Sequence, residues 1–358
     1  MFNDYKFVVA GCCGSMGARR IGVMINNFNI DPSNIYGYDV SNNSKDRSFD
    51  GVNYFVGTGN LDDVENLLRN EDKVVCFICT PPNKHMGYYR LFSEYNCHIF
   101  CEASVCPSDR FALLDIYETS KNNNTVVYPS STLKFKDSIR YIKGIIDDNV
   151  IGKPLSYIYR VSQNLKQWHP EQDINSYYVS NVDTSGSREM IPFELSWLVD
   201  IFGPIDFDSM CSLVKSRSVI GKNTGINDCY SVIFEHMLDV CNNNYVGANF
   251  SVDVYSQKPY RRLYLSCEGG NIEWDWIDNN VSVYINSNDN EFLPEKIVYK
   301  EESVSVLNGY SDFSTQKMYV DEVGHFFDCV LGKDVLCNTL SDDNYVLTCL
   351  DVIERRTK

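Results

Sequence analysis

The stretch that decides the fold runs Lys6-Phe7-Val8-Val9-Ala10-Gly11-Cys12-Cys13-Gly14-Ser15-Met16-Gly17. An apolar run of strand length stops at a glycine, and a helix-like segment follows at once, with Met16, Ile21, Met24 and Ile25 spaced for one buried face. The three glycines allow a tight turn, a close backbone approach to a pyrophosphate, and close packing of helix on strand. The helix N-terminus behind them offers N–H groups and the positive end of a dipole to an anion. The spacing is G-x-x-G-x-x-G, one residue longer at the front than the common fingerprint, so the context has to carry the reading. That context is present. A second strand, 35–40, carries Asp39, 22 positions after Gly17. An Asp there accepts hydrogen bonds from ribose hydroxyls and repels a 2′-phosphate, which favours NAD as cofactor. Lys45 and Arg47 downstream leave NADP open. The cofactor contacts expected from the loop are Gly11, Cys13, Gly14, Ser15 and Met16, with Cys13 supplying backbone rather than thiol, and Asp39.

Outward from this loop, strand-like and helix-like segments alternate to about residue 128. The strands are continuous apolar runs, as at Val74-Val75-Cys76-Phe77-Ile78-Cys79. Unalternated apolar strands between helices indicate a parallel sheet covered on both faces. Beyond a helix at 139–148 the texture changes. Six strand segments between 209 and 285 alternate charged and apolar positions, with Gly and Asn at their turns, and two helices close the chain at 315–331 and 342–356. The expectation is an α/β protein: an N-terminal Rossmann domain over 1–128, then an α+β domain over 129–358 with an open, mostly antiparallel sheet.

The chain has 358 residues and a formal net charge of −16. Two domains fit that length. The acidic balance argues against nucleic acid and against an anionic membrane as partners. There is no apolar run of about 20 residues, so no membrane span is expected. No basic and apolar leader is visible at the start, and the fourteen cysteines read as small hydrophobes of a reduced, cytoplasmic protein. Cys76 and Cys79 have the spacing of a metal pair, but they lie in a buried-strand pattern with no second pair, and no metal set is expected.

Three further segments resemble the glucose–fructose oxidoreductase / inositol dehydrogenase / MocA-like family of oxidoreductases. Cys79-Thr80-Pro81-Pro82-Asn83-Lys84-His85 resembles its T-P-x-x-x-H turn, Cys97 to Val105 (CHIFCEASV) its "KHVFCEKPL" strand, and Ile151-Gly152-Lys153-Pro154-Leu155 its "IGKPL" entry into the second domain. The resemblance covers essentially the whole chain. It implies NAD(P)-linked chemistry on a sugar, cyclitol or nucleotide sugar, with a carbohydrate as small-molecule partner. It also implies a homodimer or homotetramer paired through the second sheet. It places Thr80, Pro81, Pro82, His85, Glu102 and Ala103 beside the cofactor.

The departures are as informative. The family's catalytic lysine follows the Glu of E-K-P, whereas here Glu102-Ala103-Ser104 stands in its place. Where the family commonly has an Asp and a His on the helix entering the site, this chain has Met190 and Phe193. Neither side chain transfers protons. Substitutes are sought in the polar loop before that helix and at its start. His169, Glu189 and Tyr178 are the catalytic candidates. Lys134, Gln163, Trp168, His169, Asp173, Arg188 and Glu189 are the substrate-contact candidates. His169 suits proton exchange near neutrality, or ties down backbone. Arg188 grips a substrate carboxylate or phosphate, or belongs to a capping ion-pair cluster with Glu189. His98 is expected exposed, and His236 and His325 structural. Two other functions stay open: a catalytically silent NAD-binding sensor or partner subunit, and an epimerase or lyase using tightly held NAD.

Overall fold

The computed structural model describes residues 2–41, 48–57, 59–168, 173–176, 178–216, 226–239, 244–286, 295–301 and 316–357. Its chain divides into two compact units.

The first unit comprises 1–132 and 319–347. Its strands and helices alternate: β1 (Lys6–Ala10), α1 (Ser15–Phe28), β2 (Ile35–Asp39), β3 (Asn53–Val56), α2 (Asp62–Asn70), β4 (Val74–Ile78), α3 (His85–Glu94), β5 (His98–Cys101), α4 (Arg110–Asn123) and β6 (Val127–Pro129). The six strands pair in the order β3-β2-β1-β4-β5-β6, all parallel. This is the doubly wound order, and the strand order reverses between β1 and β4, where such sheets bind their ligands. Alternate residues serve two cores. Val8, Ala10, Cys76, Ile78, Ile99 and Cys101 pack with Val64, Leu68, Tyr89, Phe92 and Leu113 on one face. Phe7, Phe77, Phe100 and Tyr128 present rings to the other face, where Phe77 lies 5.7 Å from Phe326 and Phe7 lies 5.9 Å from Phe327.

Those two phenylalanines belong to α8 (Gln316–Val330), a helix that arrives some 190 residues after β6. The first unit is therefore discontinuous in sequence, unlike the single division expected at 128. α9 (Leu340–Arg355) begins here as well, with Leu340 and Leu347 in the core. Its Asp343 is buried, and Oδ2 has no hydrogen-bond partner among the described residues. Burial pushes this carboxyl up to about 6, against a smaller lowering by the Ser104 hydroxyl. The folded chain thus holds a proton that the unfolded chain releases near pH 3.8, so stability falls as pH rises from about 4 to 6. Asp343→Asn is expected to stabilise the protein by about 2–3 kcal/mol at pH 8 and by nothing at pH 4. Urea unfolding at the two pH values reads this, and an equal effect at both would contradict it.

The second unit comprises 133–318 and 348–358. It opens with α5 (Asp137–Asp147), β7 (Pro154–Asn164), the single turn α6 (Leu165–Trp168) and α7 (Gly186–Phe202). There follow β8 (Ile205–Lys215), β9 (Cys229–Asp239), β10 (Asn244–Asp253), β11 (Tyr255–Cys267), β12 (Gly270–Asp275), β13 (Asn280–Ile285) and β14 (Glu295–Lys300). The eight strands pair in the order β14-β13-β12-β11-β7-β10-β9-β8, antiparallel except for β7 against β10. The period-2 alternation expected from the sequence is visible in β10 and β11, whose inward residues include Val246, Ala248, Phe250, Leu263 and Leu265. α7 begins at Gly186, three residues earlier than the sequence suggests, because Ser185 Oγ accepts the Arg188 N–H and caps it. Its Trp197 packs edge-on to Tyr159 at 5.2 Å. The opposite sheet face leaves Ile233, Ile158 and Tyr264 exposed in one cross-strand row through Asn249. Pairing through the sheet, as the resemblance implies, would cover that row.

Candidate functional site

The glycine loop is built by short backbone constraints. Gly11 has φ +84, and its N–H and that of Cys12 both donate to Tyr38 O, at 2.8 and 3.3 Å. A Cβ on Gly11 would stand 2.5 Å from Cys79 O, and one on Gly17 would overlap Gly11 O. Gly14 is the cap of α1, and with no side chain of its own it leaves the helix entrance open to a ligand. No acidic residue occupies the first turn of α1, so the positive end of its dipole is not neutralised from within the helix.

Asp39 closes β2 beside this loop. Its Oδ2 accepts the Cys13 N–H at 3.0 Å and its Oδ1 accepts the Ser41 N–H at 2.9 Å. A carboxylate offers about four acceptor sites, so each oxygen retains capacity for a hydroxyl. At the neighbouring strand end, Cys79 N–H donates to Ala10 O at 2.8 Å. His85 then folds back so that Nε2 donates to Thr80 O at 2.8 Å. Since a carbonyl only accepts, Nε2 carries the proton and Nδ1 the lone pair. Burial pushes His85 down to about 4, so it is neutral at pH 7. Its Nδ1 and the Thr80 hydroxyl are buried with no partner among the described residues. An orphaned hydroxyl, a glycine that side chains cannot replace and an open helix entrance together fit a dinucleotide.

Glu102 directly follows β5, and Arg20 Nε donates to it at 2.8 Å. Arg20 is fully buried; its Nη2 reaches Glu322 of α8 at 2.9 Å, and it stacks 4.4 Å over the Phe100 ring. Ala103 follows with no ionisable group. Burial pushes the Cys12 thiol up, and the neighbouring Cys13 and Asp39 add to that.

In the second unit, the start of α7 brings two catalytic candidates together. Tyr178 Oη donates to Glu189, 3.0 Å from Oε2 and 3.2 Å from Oε1. Arg188 is committed elsewhere. Its Nε donates to Glu354 Oε1 at 2.8 Å, its Nη2 donates to Glu354 Oε2, and its Nη1 donates to Asp183 O at 3.0 Å. Tyr230 Oη donates to the same Glu354 carboxylate at 3.0 Å. Arg188 is thus held in an ion pair with Glu354 at the start of α7. Lys134 lies 3.4 Å from Asp200 and is mostly buried, so it is no loose surface charge. Gln163 is half-buried near the end of β7, and Asp173 is exposed and accepts the Asn175 N–H at 3.0 Å. For Trp168 only the backbone, the end of α6, is described, and His169 lies outside the described residues.

Met190 is buried and Phe193 half-buried, so neither position supplies a proton-transfer group. Glu194, one turn on, is buried and takes Arg261 Nε at 3.0 Å, Arg261 Nη2 at 2.5 Å and Tyr159 Oη at 2.6 Å. Arg261 carried no motif, and only the register of β11 against β7 brings it there. His236 is structural as expected, held between Gly203 O at 2.7 Å and Tyr157 Oη at 2.8 Å. His98 is not exposed: its Nδ1 accepts the Val126 N–H at 3.1 Å, and burial pushes its pKa down.

No family model matches the sequence, and no curated protein matches it. Solved structures match the fold along nearly all of it. A levoglucosan dehydrogenase in complex with NADH and levoglucosan superposes with a TM-score of 0.75 at 14% identity, covering 98% of this chain and 97% of that one. A UDP-N-acetylglucosamine 3-dehydrogenase from Acidithiobacillus ferrooxidans gives 0.71 at 12% identity, covering 99% and 97%. A putative myo-inositol dehydrogenase from Sinorhizobium meliloti 1021 gives 0.70 at 16% identity, covering 98% and 97%. The class is thereby defined as a Rossmann-like unit with a parallel six-stranded sheet plus a unit with a mostly antiparallel eight-stranded sheet. The three structures named above are, by their names, dehydrogenases of levoglucosan, a nucleotide sugar and a cyclitol. Among the described residues, no helix is long and apolar enough to cross a membrane.

Proposed function

We propose that the chain is an NAD-dependent oxidoreductase of the glucose–fructose oxidoreductase / inositol dehydrogenase-like family, acting on a hydroxyl or ketone of a sugar or nucleotide sugar. One observation carries the reading: Asp39 is fastened to the glycine loop, through Cys13 N–H, at the point where the parallel sheet reverses its strand order. A nicotinamide dinucleotide, when bound, supplies the hydride acceptor or donor. The residues that would hold it are the backbone of Gly11 to Met16 at its phosphates, Asp39 at a ribose, and Thr80 with neutral His85 at the turn after β4. Asp39 favours NAD over NADP by charge.

The protein must also move one proton. Glu189 is the group assigned to it. Its carboxylate accepts the substrate hydroxyl proton in oxidation, and the Tyr178 hydroxyl orients it. Arg188, bound to Glu354, fixes the first turn of α7 instead of gripping substrate. The departures at Ala103, Met190 and Phe193 support a second reading, a dinucleotide-binding subunit without turnover.

Calorimetry on nucleotide-stripped protein separates these readings in part. NADH is expected to bind in the micromolar range and NADPH at least about tenfold more weakly, since repulsion of one phosphate is worth about 1.4 kcal/mol or more. Binding of neither would end the proposal. With a substrate found by screening sugars and nucleotide sugars, Glu189→Gln is expected to lower kcat by about 10²–10⁴-fold, with NADH affinity unchanged. Full activity in that variant would remove Glu189 from the mechanism. No turnover with any such substrate, with NADH binding intact, would favour the silent subunit.

A further inference from the structure

Cys12, Cys13 and Asp39 are separated in sequence in a way that matches no metal motif, yet the fold brings them to one point. Their ligand atoms, two sulfurs and one carboxylate oxygen, all lie within 4.8 Å of one another. We propose that these three residues bind a single thiophilic divalent cation of the zinc and cadmium class, at a site that excludes the dinucleotide.

Geometry is the first support. The two sulfurs are 4.0 Å apart. In a tetrahedral zinc–thiolate site with bonds of about 2.3 Å, two sulfurs stand about 3.8 Å apart. The pair therefore needs to close by only a few tenths of an ångström. The main chain that carries the two sulfurs is itself held in place. The N–H groups of Gly11 and Cys12 are both held by Tyr38 O, and Cys13 N–H is held by Asp39.

The surroundings are the second support. Cys12 is 1% exposed and Cys13 8%, so both sulfurs are shielded from bulk water. The Cys12 sulfur fits against a glycine of β2: a Cβ on Gly37 would lie 2.9 Å from it. Cys13 Sγ is oriented toward Ser41 O at 3.5 Å. Asp39 is oriented at both oxygens by backbone N–H groups, so the carboxylate is fixed before any cation arrives.

The donor set selects the ion. Two thiolates and one carboxylate favour a borderline or soft cation over magnesium or calcium, which take oxygen ligands. Three protein ligands leave the fourth tetrahedral position to water. On binding, the two thiols release their protons to solvent and two metal–sulfur bonds form, with no change of oxidation state. The ligand set of charge −3 becomes −1 with the cation in place.

Exclusion of the dinucleotide follows from Asp39, and this part rests on the cofactor reading above. The carboxylate that would accept ribose hydroxyls is the one that ligates the cation. Metal and dinucleotide therefore compete, and the site acts as an inhibitory switch set by thiophilic metal.

The test uses the full-length, reduced, nucleotide-free protein and cadmium chloride alone. Cadmium–thiolate bonds absorb in the ultraviolet, so binding is read without any nucleotide. The wild type is expected to show a tight first equivalent. Cys13→Ser and Cys12→Ser should each weaken that first equivalent at least about 100-fold, and Asp39→Asn at least about tenfold. A first equivalent unchanged in Cys13→Ser overturns the proposal, as does the absence of any tight equivalent. If Cys12→Ser fails to fold, Cys13→Ser decides the site, and alkylation of the wild type shows whether the first equivalent goes to surface thiols instead. One equivalent of cadmium should leave the exposed Cys211 and Cys337 open to alkylation, and loss of their labelling at one equivalent overturns the proposal. NADH calorimetry is run separately. A cadmium-dependent rise in the apparent Kd supports the competition, and an unchanged Kd overturns it. If NADH fails to bind even without metal, the function reading falls while the cadmium result still decides the site.

Discussion

Replacing Glu322 by alanine is expected to destabilise the first unit by about 3–5 kcal/mol, the cost of leaving a buried charge without its partner. Glu322 is fully buried and accepts four hydrogen bonds: from Arg20 Nη2 at 2.9 Å, Ser130 Oγ at 2.9 Å, Ser131 N–H at 2.8 Å and Thr132 Oγ1 at 2.8 Å. Arg20 is fully buried too, and Nη1 already lacks a partner among the described residues. Removing the carboxylate leaves the guanidinium with Glu102 alone and takes an acceptor from the Ser131 N–H and from the Ser130 and Thr132 hydroxyls, which keep their 3.1 Å contact with each other. The network is nevertheless costly in itself. Burial pushes the Glu322 carboxyl above its ordinary range, and Arg20 offsets this only in part. A closed buried network of this kind is worth little over an apolar core of the same shape, while a broken one is expensive. The double variant Glu322→Ala with Arg20→Met should therefore recover part of the loss. Urea unfolding reads both variants. In a unit of this size the single variant corresponds to roughly 10 °C in Tm. A loss below about 1 kcal/mol in the single variant would show that the carboxylate does not hold Arg20 in solution.

That network marks where the sequence stops being legible. The strand and helix order of the first unit could be read because each parallel strand is a continuous apolar run punctuated by Gly or Pro. β3 escaped that reading, since all four of its residues are only half-buried, and β14 escaped because nearly all of its residues are exposed. Phe326 and Phe327 reveal an amphipathic helix, but nothing local says which sheet it covers. The parallel pairing of β7 with β10 inside an otherwise antiparallel sheet is likewise a matter of long-range register. The same division runs through the candidate site. Gly11, Gly14, Gly17 and Asp39 were readable because each answers a local demand of turn, approach or strand end. Arg188 left two roles open because its partner, Glu354, lies 166 residues away. The Tyr178–Glu189 contact joins two residues that were singled out separately. The Cys12, Cys13 and Asp39 cluster was missed because metal motifs are recognised by spacing, whereas here proximity comes from the pairing of β1 with β2.

Gly11→Ala is expected to lower NADH affinity by more than about 100-fold and to cost about 2–4 kcal/mol of folding stability. Two terms combine. At φ +84 an alanine is strained by about 1–2 kcal/mol. Its Cβ would also stand 2.5 Å from Cys79 O, 2.7 Å from Cys79 C and 2.8 Å from Thr80 N. All three are backbone atoms, so no side-chain rotation relieves the clash. The turn after β4 must retreat, which strains the Cys79 N–H to Ala10 O hydrogen bond and moves the Thr80 hydroxyl that the reading places beside the cofactor. Two further variants separate the terms. Gly59→Ala has φ +63 with nothing within 4 Å of the new Cβ, so it should show the dihedral cost alone, about 1–2 kcal/mol, and leave NADH affinity intact. Gly17→Ala keeps an ordinary helical dihedral but drives its Cβ into Gly11 O, so it isolates the steric cost within the loop. If the loop carries the cofactor, Gly11→Ala and Gly17→Ala lose NADH together, while Gly59→Ala does not. NADH affinity within threefold of wild type in Gly11→Ala, at an unchanged unfolding midpoint, would mean that this loop neither binds the dinucleotide nor needs its glycine.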